Sequence, residues 1–221
     1  MASSTTALES NTGVDDVLAY LPVSSTSDYG KGQMIYSPDN PPKSIYLVLS
    51  GKVEISQITE TGRELLLEIV RPEELFGESS LIDMPRYSEQ ATAFEKVRLM
   101  TWAVSDMEYL VMQRPRLGVG LLQILAKRNA EFTRRIESFS TESIERRLAR
   151  TLVRFCERLG TPEEDGSLRM MPFTHELLSR YVGTSREIVS LHMNRFRKQG
   201  FVSYSRRGIV LHRDVIQRFF N

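Results

Sequence analysis

The chain has 221 residues, of which 41% are hydrophobic and 26% are charged, and it holds 29 Lys and Arg against 28 Asp and Glu. This composition is typical of a soluble globular protein, and the length suits two modest domains. No apolar run is long enough to span a membrane, and the Ser/Thr-rich residues 1–13 lack the basic start and apolar core of a signal peptide. We therefore expect a cytoplasmic protein with no membrane partner and a mobile tail at residues 1–13.

Residues 28–105 carry the first predicted domain. Short β-rich runs recur there, separated by turn signals at Pro38–Pro42, Thr61-Gly62, Pro72 and Pro85. This pattern predicts a small antiparallel barrel or roll, within a sensor domain at residues 14–115. The runs are SIYLVLSGKVEISQI, ELLLEIV and VRLMTWAV.

A roll of this kind could be a metalloenzyme of the cupin type, but such a site needs several ligands converging inside it. The three histidines, His175, His192 and His212, all lie in the other half of the chain. Cys156 is the only cysteine, so disulfides within the chain are impossible. Its apolar helical surroundings favour a buried, inert thiol. We therefore expect no metal site and no catalytic site.

The roll contains a Gly-Glu turn that could bind an anion. Gly77 allows close backbone approach, consecutive N–H groups that open a short helix form an anion cradle, and Glu78 could accept sugar hydroxyls. A turn without a ligand is the competing interpretation. The segment reads Phe76-Gly77-Glu78-Ser79-Ser80 and is followed, beyond Pro85, by Tyr87-Ser88.

The next segment, from Asp106 to about Ser140, predicts a helix with a break near Pro115 and then a long uninterrupted stretch, which we assign to a dimerisation helix at residues 116–142. Apolar residues follow the 3-4 spacing of a two-stranded coiled coil, and Asn129 at an a-like position would specify register and two strands. The alternative is that this stripe packs on its own roll. The predicted seam comprises Leu122, Leu125, Asn129, Phe132, Ile136 and Phe139.

The total charge is near neutral, but the two parts of the chain carry net charges of opposite sign. Residues 144–221 hold 15 Lys and Arg against 8 Asp and Glu, a net of +7, whereas residues 1–143 hold 14 against 20, a net of −6. Basic charge concentrated in one domain indicates nucleic-acid binding. Alternatively, arginines at helical spacings simply solvate a linker helix. These are Arg146, Arg147, Arg150, Arg154 and Arg158.

Residues 173–202 predict two helices joined by a glycine turn. Thr174 is the expected N-cap of the first helix, with a hydrophobic staple between Phe173 and Leu178, and Gly183 can adopt the positive φ of a tight turn. The buried side would be Leu177, Leu178 and Tyr181. Together the helices predict a helix-turn-helix.

The second helix is expected to open at Thr184, which with Glu187 fits a capping box. Its inward stripe would be Val189, Met193 and Phe196, which leaves Arg186, Glu187, Ser190 and Asn194 outside. A cation in the first turn opposes the helix dipole, so Arg186 favours an anionic partner. An Arg can bind guanine O6 and N7 with both arms, and a Glu can accept from cytosine N4.

After this helix, FVSYSRRGIVLHR alternates into two short strands around Arg206, Arg207 and Gly208. The sequence therefore predicts a winged helix-turn-helix at residues 143–221. The fold class is α+β, with an N-terminal roll, a long helix and a C-terminal winged helix-turn-helix.

The order of these parts resembles the CRP/FNR (catabolite activator) family of bacterial transcription regulators, from about Asp15 to Asn221. GTSREIVSLHMNRF resembles the family's recognition helix, and LFGESSL resembles its nucleotide-phosphate cassette. The resemblance implies base reading by Arg186 and Glu187 and a phosphate contact by Thr174. It also implies RNA polymerase as a partner. Leu191 replaces a second base-reading Arg, so the outer half-site should be read differently. The expected DNA-contacting set is Thr174, Thr184, Ser185, Arg186, Glu187, Ser190, Asn194, Arg206 and Arg207.

The same resemblance implies a cyclic-nucleotide-binding-like pocket, but two positions depart from cyclic-AMP binders. Tyr87 stands in place of the Arg that neutralises the phosphate; Arg86 is adjacent, yet a one-residue slip on a strand reverses the face. Phe132 and Thr133 fall on the Thr-Ser pair that contacts adenine in cyclic-AMP binders, so an aromatic ring replaces one polar contact. The candidate effector residues are Gly77, Glu78, Ser79, Ser80, Arg86, Tyr87, Ser88, Phe132 and Thr133. The iron-sulfur branch is excluded, since Cys156 is alone.

These observations predict a homodimeric transcription regulator that binds double-stranded DNA at an inverted-repeat operator. Cyclic AMP or another small effector could bind it, but we expect operator binding not to require cyclic AMP. The competing hypothesis is a ligand-binding regulatory or interaction module whose basic domain docks an acidic protein.

Overall fold

A computed structural model describes residues 20–82, 88–205 and 208–212. The N-terminal part of the described chain is a roll of eight short strands, in which the three predicted runs form four strands and four shorter strands add to them. A 3-10 helix, Glu78–Leu81, follows the sixth strand. The strands are β1 (Ser25–Tyr29), β2 (Met34–Tyr36), β3 (Ser44–Ser50), β4 (Val53–Ile58), β5 (Glu64–Val70), β6 (Leu75–Phe76), β7 (Glu89–Ala93) and β8 (Val97–Ala103).

The roll consists of two antiparallel four-stranded sheets, with strand orders β1-β8-β3-β6 and β2-β7-β4-β5. Alternate side chains point inward, as the two-residue period of a strand requires. Val48, Val53 and Leu99 are fully buried in the resulting core, and Tyr36 and Phe76 are almost fully buried. The predicted small antiparallel roll is confirmed.

Two helices follow, α1 (Val104–Gln113) and α2 (Pro115–Thr141). They are separated at Arg114, because Pro115 lacks an N–H and is suited to the first position of a new helix. Leu117 on α2 is buried against the roll together with Trp102 and Met107. Among the described residues, no helix is both long and apolar enough to cross a membrane.

The C-terminal part is a winged helix-turn-helix, as predicted. Its four strands form one antiparallel sheet of order β11-β12-β10-β9. Cys156 is buried in its core, and burial raises the pKa of the thiol to about 12, so it stays protonated and inert. The elements are α3 (Ile144–Leu159), β9 (Thr161–Pro162), β10 (Leu168–Met170), α4 (His175–Val182), α5 (Arg186–Lys198), β11 (Val202–Ser205) and β12 (Gly208–Leu211).

The roll and the helix-turn-helix share a hydrophobic contact through β5. Leu66 and Ile69 on this strand are buried in the same cluster as Leu178 and Tyr181 of α4, whereas Val70 points into the roll core. Strand β5 is therefore covered on both faces, and this contact places the helix-turn-helix against the sensor roll.

Candidate DNA-binding surface and effector cavity

Helix α4 begins as the sequence predicts. The Thr174 hydroxyl accepts a hydrogen bond from the Leu177 N–H at 3.1 Å, which satisfies one of the free donors of the first turn. Phe173 and Leu178 are buried in one cluster, in agreement with the predicted staple. Gly183 ends the helix at φ 74°, and a Cβ there would lie 3.0 Å from the Phe139 ring. A glycine is therefore needed for both reasons.

Helix α5 begins one residue later than expected, so the capping box of Thr184 and Glu187 is wrong. Ser185 is the N-cap, and its hydroxyl accepts from the Ile188 N–H at 3.4 Å. The Thr184 N–H instead bonds to the Ser179 carbonyl at 3.2 Å and completes the end of α4. Thr184 thus belongs to the turn that ends α4, and Ser185 is the residue that caps α5.

The recognition helix α5 has one buried face and one exposed face. Val189, Met193 and Phe196 are fully buried, as predicted. Arg186, Glu187 and Asn194 are exposed on the opposite side. The backbone N–H of Glu187 and the Ser185 hydroxyl hold the pKa of the Glu187 carboxyl below its usual range. Its carboxylate is therefore ionised at neutral pH and able to accept a hydrogen bond from a base.

A histidine that the sequence analysis did not select connects three parts of this surface. His175 Nδ1 lies 2.8 Å from Ser190 Oγ, and its Nε2 lies 3.3 Å from the Tyr204 hydroxyl on β11. Because Ser190 donates to the Arg186 carbonyl, it accepts from Nδ1–H, and Nε2 accepts from Tyr204. In this assignment His175 is neutral, and its two hydrogen bonds connect α4 to α5 and to the wing strand β11. The only signal in the sequence was its position directly after the Thr174 cap.

Burial lowers the pKa of His175, and the positive charge of Arg186 lowers it further. The wing strands β11 and β12 pair in register from Val202 opposite Leu211 to Ser205 opposite Gly208. Arg206 and Arg207, which connect them, lie outside the described residues. Leu191 is 67% exposed on α5, so an apolar side chain is available on this surface where the resemblance expects an Arg.

The roll contains a cavity of about 80 Å³ at the predicted effector site. Gly77, Glu78 and Phe132 line it, as the resemblance implies, together with Tyr36 and Arg128. Gly77 adopts φ 88°, and a Cβ there would lie 2.7 Å from the Ser44 carbonyl oxygen. Small-molecule sites occupy roughly 300–1,000 Å³, so the cavity in this conformation is smaller than a nucleotide needs.

Arg128 occupies the polar side of this cavity. Its guanidinium is ion paired with Glu78 and bonded to the Leu75 carbonyl, and its Nε lies 3.5 Å from Glu68. These carboxylates, Glu78 before Glu68, oppose the effect of burial and raise the pKa of Arg128. Glu78, expected to accept sugar hydroxyls, thus has an internal cation as its partner. The sequence analysis did not identify Arg128, which lies on α2, fifty residues from Glu78.

The remaining effector candidates that the structure describes, Ser79, Ser80, Ser88 and Thr133, do not line the cavity. Ser79 donates to Glu89 at 3.0 Å, Ser80 donates to the Gly77 carbonyl at 2.7 Å, and Ser88 accepts from Gln57 at 2.8 Å. Thr133 is exposed on α2, where its hydroxyl donates to the Asn129 carbonyl. Arg86 and Tyr87 lie outside the described residues.

Most of the predicted seam of α2 is exposed in the single chain, but Phe132 also lines the roll cavity. Exposure is 67% for Leu122, 66% for Ile136 and 37–41% for Leu125, Phe132 and Phe139. Phe139 also contacts its own chain, because Arg147 lies over its ring at 5.0 Å. The adjacent face of α2, which carries Leu117, Leu121 and Ile124, packs on the roll.

The arginines of α3 do more than solvate a linker helix. Arg158 is ion paired with Glu68 of β5 and lies 2.9 Å from Glu74. Arg154 lies 2.6 Å from Glu131 of α2. Helix α3 is therefore connected by charge to both the roll and the long helix.

These features define a DNA-binding transcription regulator with a cyclic-nucleotide-binding type of roll. Residues 26–114 match the family model of the cyclic nucleotide-binding domain, and residues 146–218 match that of the Crp-like helix-turn-helix domain. The chain belongs to the CRP/FNR family, which confirms the resemblance found in the sequence.

Relatives in this family are similar over most of their length. The transcriptional regulator SdrP of Thermus thermophilus is 31% identical over 81% of this chain and 86% of its own. A CRP-like cAMP-activated global transcriptional regulator of Mycobacterium tuberculosis is 28% identical over 83% and 82%. TTHA1359, a CRP/FNR-family regulator of Thermus thermophilus, is 29% identical in sequence. Its crystal structure matches this one with a TM-score of 0.72, over 88% of this chain and 97% of that chain.

Proposed function

We propose that this regulator acts as a cytoplasmic homodimer that binds an inverted-repeat operator and does not require cyclic AMP to do so. The main support for DNA binding is the exposed first turn of α5, where Arg186 and an ionised Glu187 lie on a helix whose inner face is buried. Rigid support of this kind lets side chains be aimed at base edges in the major groove.

The exposed stripe of α2 supports the dimer. A contiguous set of large apolar side chains on one face of a long helix is unfavourable in water unless it is covered. A second copy of α2 would cover it with the matching stripe, and Asn129 would lie inside the seam. Two copies of α5 would then be related by the two-fold axis on one face of the dimer and should read half-sites about one helical turn, roughly 34 Å, apart or a multiple of that.

The roll cavity supports independence from cyclic AMP. Its volume of about 80 Å³ leaves no room for a nucleotide in this conformation. Arg128 already neutralises Glu78, and Phe132 lines the cavity at a position that, by the family resemblance, contacts adenine in cyclic-AMP binders. A different small effector stays compatible with the Gly77 turn. By family resemblance, RNA polymerase is the protein partner.

Operator selection from genomic DNA, with and without candidate nucleotides, tests this proposal. We expect enrichment of an inverted repeat without added nucleotide, and selective competition in a gel shift between that repeat and a scrambled duplex of equal length. Affinity should fall steeply with salt, since each neutralised phosphate contributes a slope of about −0.9 in log–log terms. A protein that docks an acidic partner instead would not distinguish the two duplexes.

A further inference from the structure

A second and larger cavity lies where α2, α3 and α4 meet. Its volume is about 330 Å³, which is within the size range of small-molecule sites. It is separate from the roll cavity and from the exposed face of α5. Six arginines line it: Arg134 and Arg135 from α2, and Arg147, Arg150, Arg154 and Arg158 from α3.

The lining has a large excess of positive charge. Glu131 and Glu157 are its only acidic members among the described residues, so the lining itself carries a net charge of +4. Glu68, Glu74 and Glu142 pair with lining arginines from outside it and reduce the local excess from +4 to +1. Salt and water screen exposed charges well, but screening is weaker within a cavity between packed helices. The excess therefore produces a positive potential inside the cavity.

Three of the six arginines are satisfied by carboxylates. Arg154 pairs with Glu131, Arg158 pairs with Glu68 and Glu74, and Arg150 pairs with Glu142. These contacts fix the side chains around the cavity rather than leaving them free to move into water. They also show that α3 recruits acidic partners from outside the cavity.

The other three have no carboxylate partner among the described residues. Arg135 donates to the carbonyls of Leu66 and Tyr181, and burial together with Arg154 lowers its pKa. Arg147 contacts the Phe139 ring and the Glu142 carbonyl. Arg134 is exposed at the cavity edge. These guanidiniums are thus held by carbonyls, by a ring or by solvent rather than by a direct ion pair.

Buried donors in the same cluster also lack an acceptor. The Nε atoms of Arg135, Arg147 and Arg154 are buried and form no hydrogen bond within the protein. Leaving a buried donor without an acceptor is unfavourable. Arginines that lack a carboxylate partner, beside a cavity of this size, are suited to a ligand with several anionic oxygens.

We propose that this cavity binds a small molecule with two or more phosphate groups. A phosphate accepts paired hydrogen bonds from the planar guanidinium fork, which makes arginine clusters well suited to it. A ligand with two or more phosphate groups can bond to several of these guanidiniums at once, whereas a single monovalent anion reaches fewer of them. Because the lining comes from the long helix and from the helix-turn-helix, such a ligand stabilises the contact between them.

Titration calorimetry on the full-length protein at constant ionic strength tests this assignment, with pyrophosphate and tripolyphosphate as probes and sulfate as the comparison anion. We expect one saturable site per chain for the two probes and at least tenfold weaker binding of sulfate. The double variant Arg134→Gln/Arg147→Gln should reduce probe affinity at least tenfold. Arg146→Gln is the matched control, because Arg146 is exposed on α3 and does not line the cavity.

Two further variants keep the outcome decisive. Arg134→Gln alone changes an exposed side chain, so it should reduce affinity without disturbing the fold, which circular dichroism verifies. Arg186→Ala changes the DNA-binding surface and should leave probe binding intact. The proposal would be overturned if Arg146→Gln lost as much probe affinity as the cavity variants, if Arg186→Ala lost probe affinity, or if neither probe bound saturably. The proposed operator binding is measured separately and does not depend on these results.

Discussion

The Arg180 Nη1 on α4 lies 2.7 Å from the Glu54 Oε1 on β4, so the first helix of the helix-turn-helix is ion paired with the sensor roll. Glu64, on the neighbouring strand, lies 2.6 Å from the same nitrogen. Burial raises the pKa of Glu54, and Arg180 opposes that rise. The position of the helix-turn-helix is therefore coupled to the charge of two roll carboxylates.

Replacing this cation should weaken the docked arrangement. Arg180→Gln leaves Glu54 partly buried without its partner, which should lower the free energy of unfolding by about 1–3 kcal/mol. Chemical denaturation measures this, with Arg146→Gln as a control of equal charge change. Adding Glu54→Gln to Arg180→Gln should restore part of the loss. An unchanged stability in Arg180→Gln would show that the pair contributes nothing.

Arg186 should read one base position in each half-site. Arg186→Ala is expected to lose roughly 1–3 kcal/mol for the selected operator and to relax the base preference at that position. Arg206→Ala, at the wing, is the control and should weaken all sequences alike. Competition gel shifts on a set of single-base operator variants provide the measurement. Equal weakening of random and selected DNA by Arg186→Ala would assign base reading elsewhere.

The exposed stripe of α2 should be the dimer interface. Ile136→Glu places like charges within the seam and should yield monomers with little operator affinity, because half an inverted repeat is a poor site. Ile136 is preferable to Phe132 here, since Phe132 also lines the roll cavity. Lys127→Glu changes the charge of the same helix away from the stripe and should remain dimeric. Sedimentation equilibrium distinguishes them, and a dimeric Ile136→Glu protein would place the interface elsewhere.

Cyclic AMP should bind weakly or not at all. Hydrogen bonds to charged groups contribute about 1.5–3 kcal/mol, so a pocket with Tyr87 in place of an Arg should lose at least tenfold in affinity. Calorimetry on nucleotide-free protein, combined with gel shifts, measures this. Micromolar affinity together with operator binding that appears only on addition of the nucleotide would contradict the prediction.

The stability of the DNA-binding surface should depend on pH through His175. Its folded pKa is lowered, so the unfolded chain binds more protons between that value and the unfolded pKa of about 6.5. The stabilising contribution is present above the unfolded pKa and is lost as pH falls through the folded pKa. Thermal unfolding between pH 7 and pH 5 should therefore show a steeper loss for the native protein than for His175→Gln. Parallel curves for the two proteins would argue against this role.

Local patterns in the sequence were sufficient to predict most elements. The buried stripe of Val189, Met193 and Phe196 follows from a period of 3.6, and the Thr174 cap follows from the few residue types that satisfy a first-turn N–H. The Ser185 cap was missed because Thr184 and Ser185 are chemically similar neighbours. The closing turn at Gly183 decided between them through a bond back to Ser179.

The sequence by itself determined the order of the parts, the exposed face of α5 and the concentration of positive charge, because these depend on residue type and on spacing along the chain. The tertiary structure alone decided which charges meet. Arg128 reaches Glu78, Arg158 reaches Glu68, and the arginines of α2 and α3 enclose one cavity. Partners this far apart in the chain are brought together by the packing of α2 and of the C-terminal helices on the roll, for which a one-dimensional pattern carries no signal.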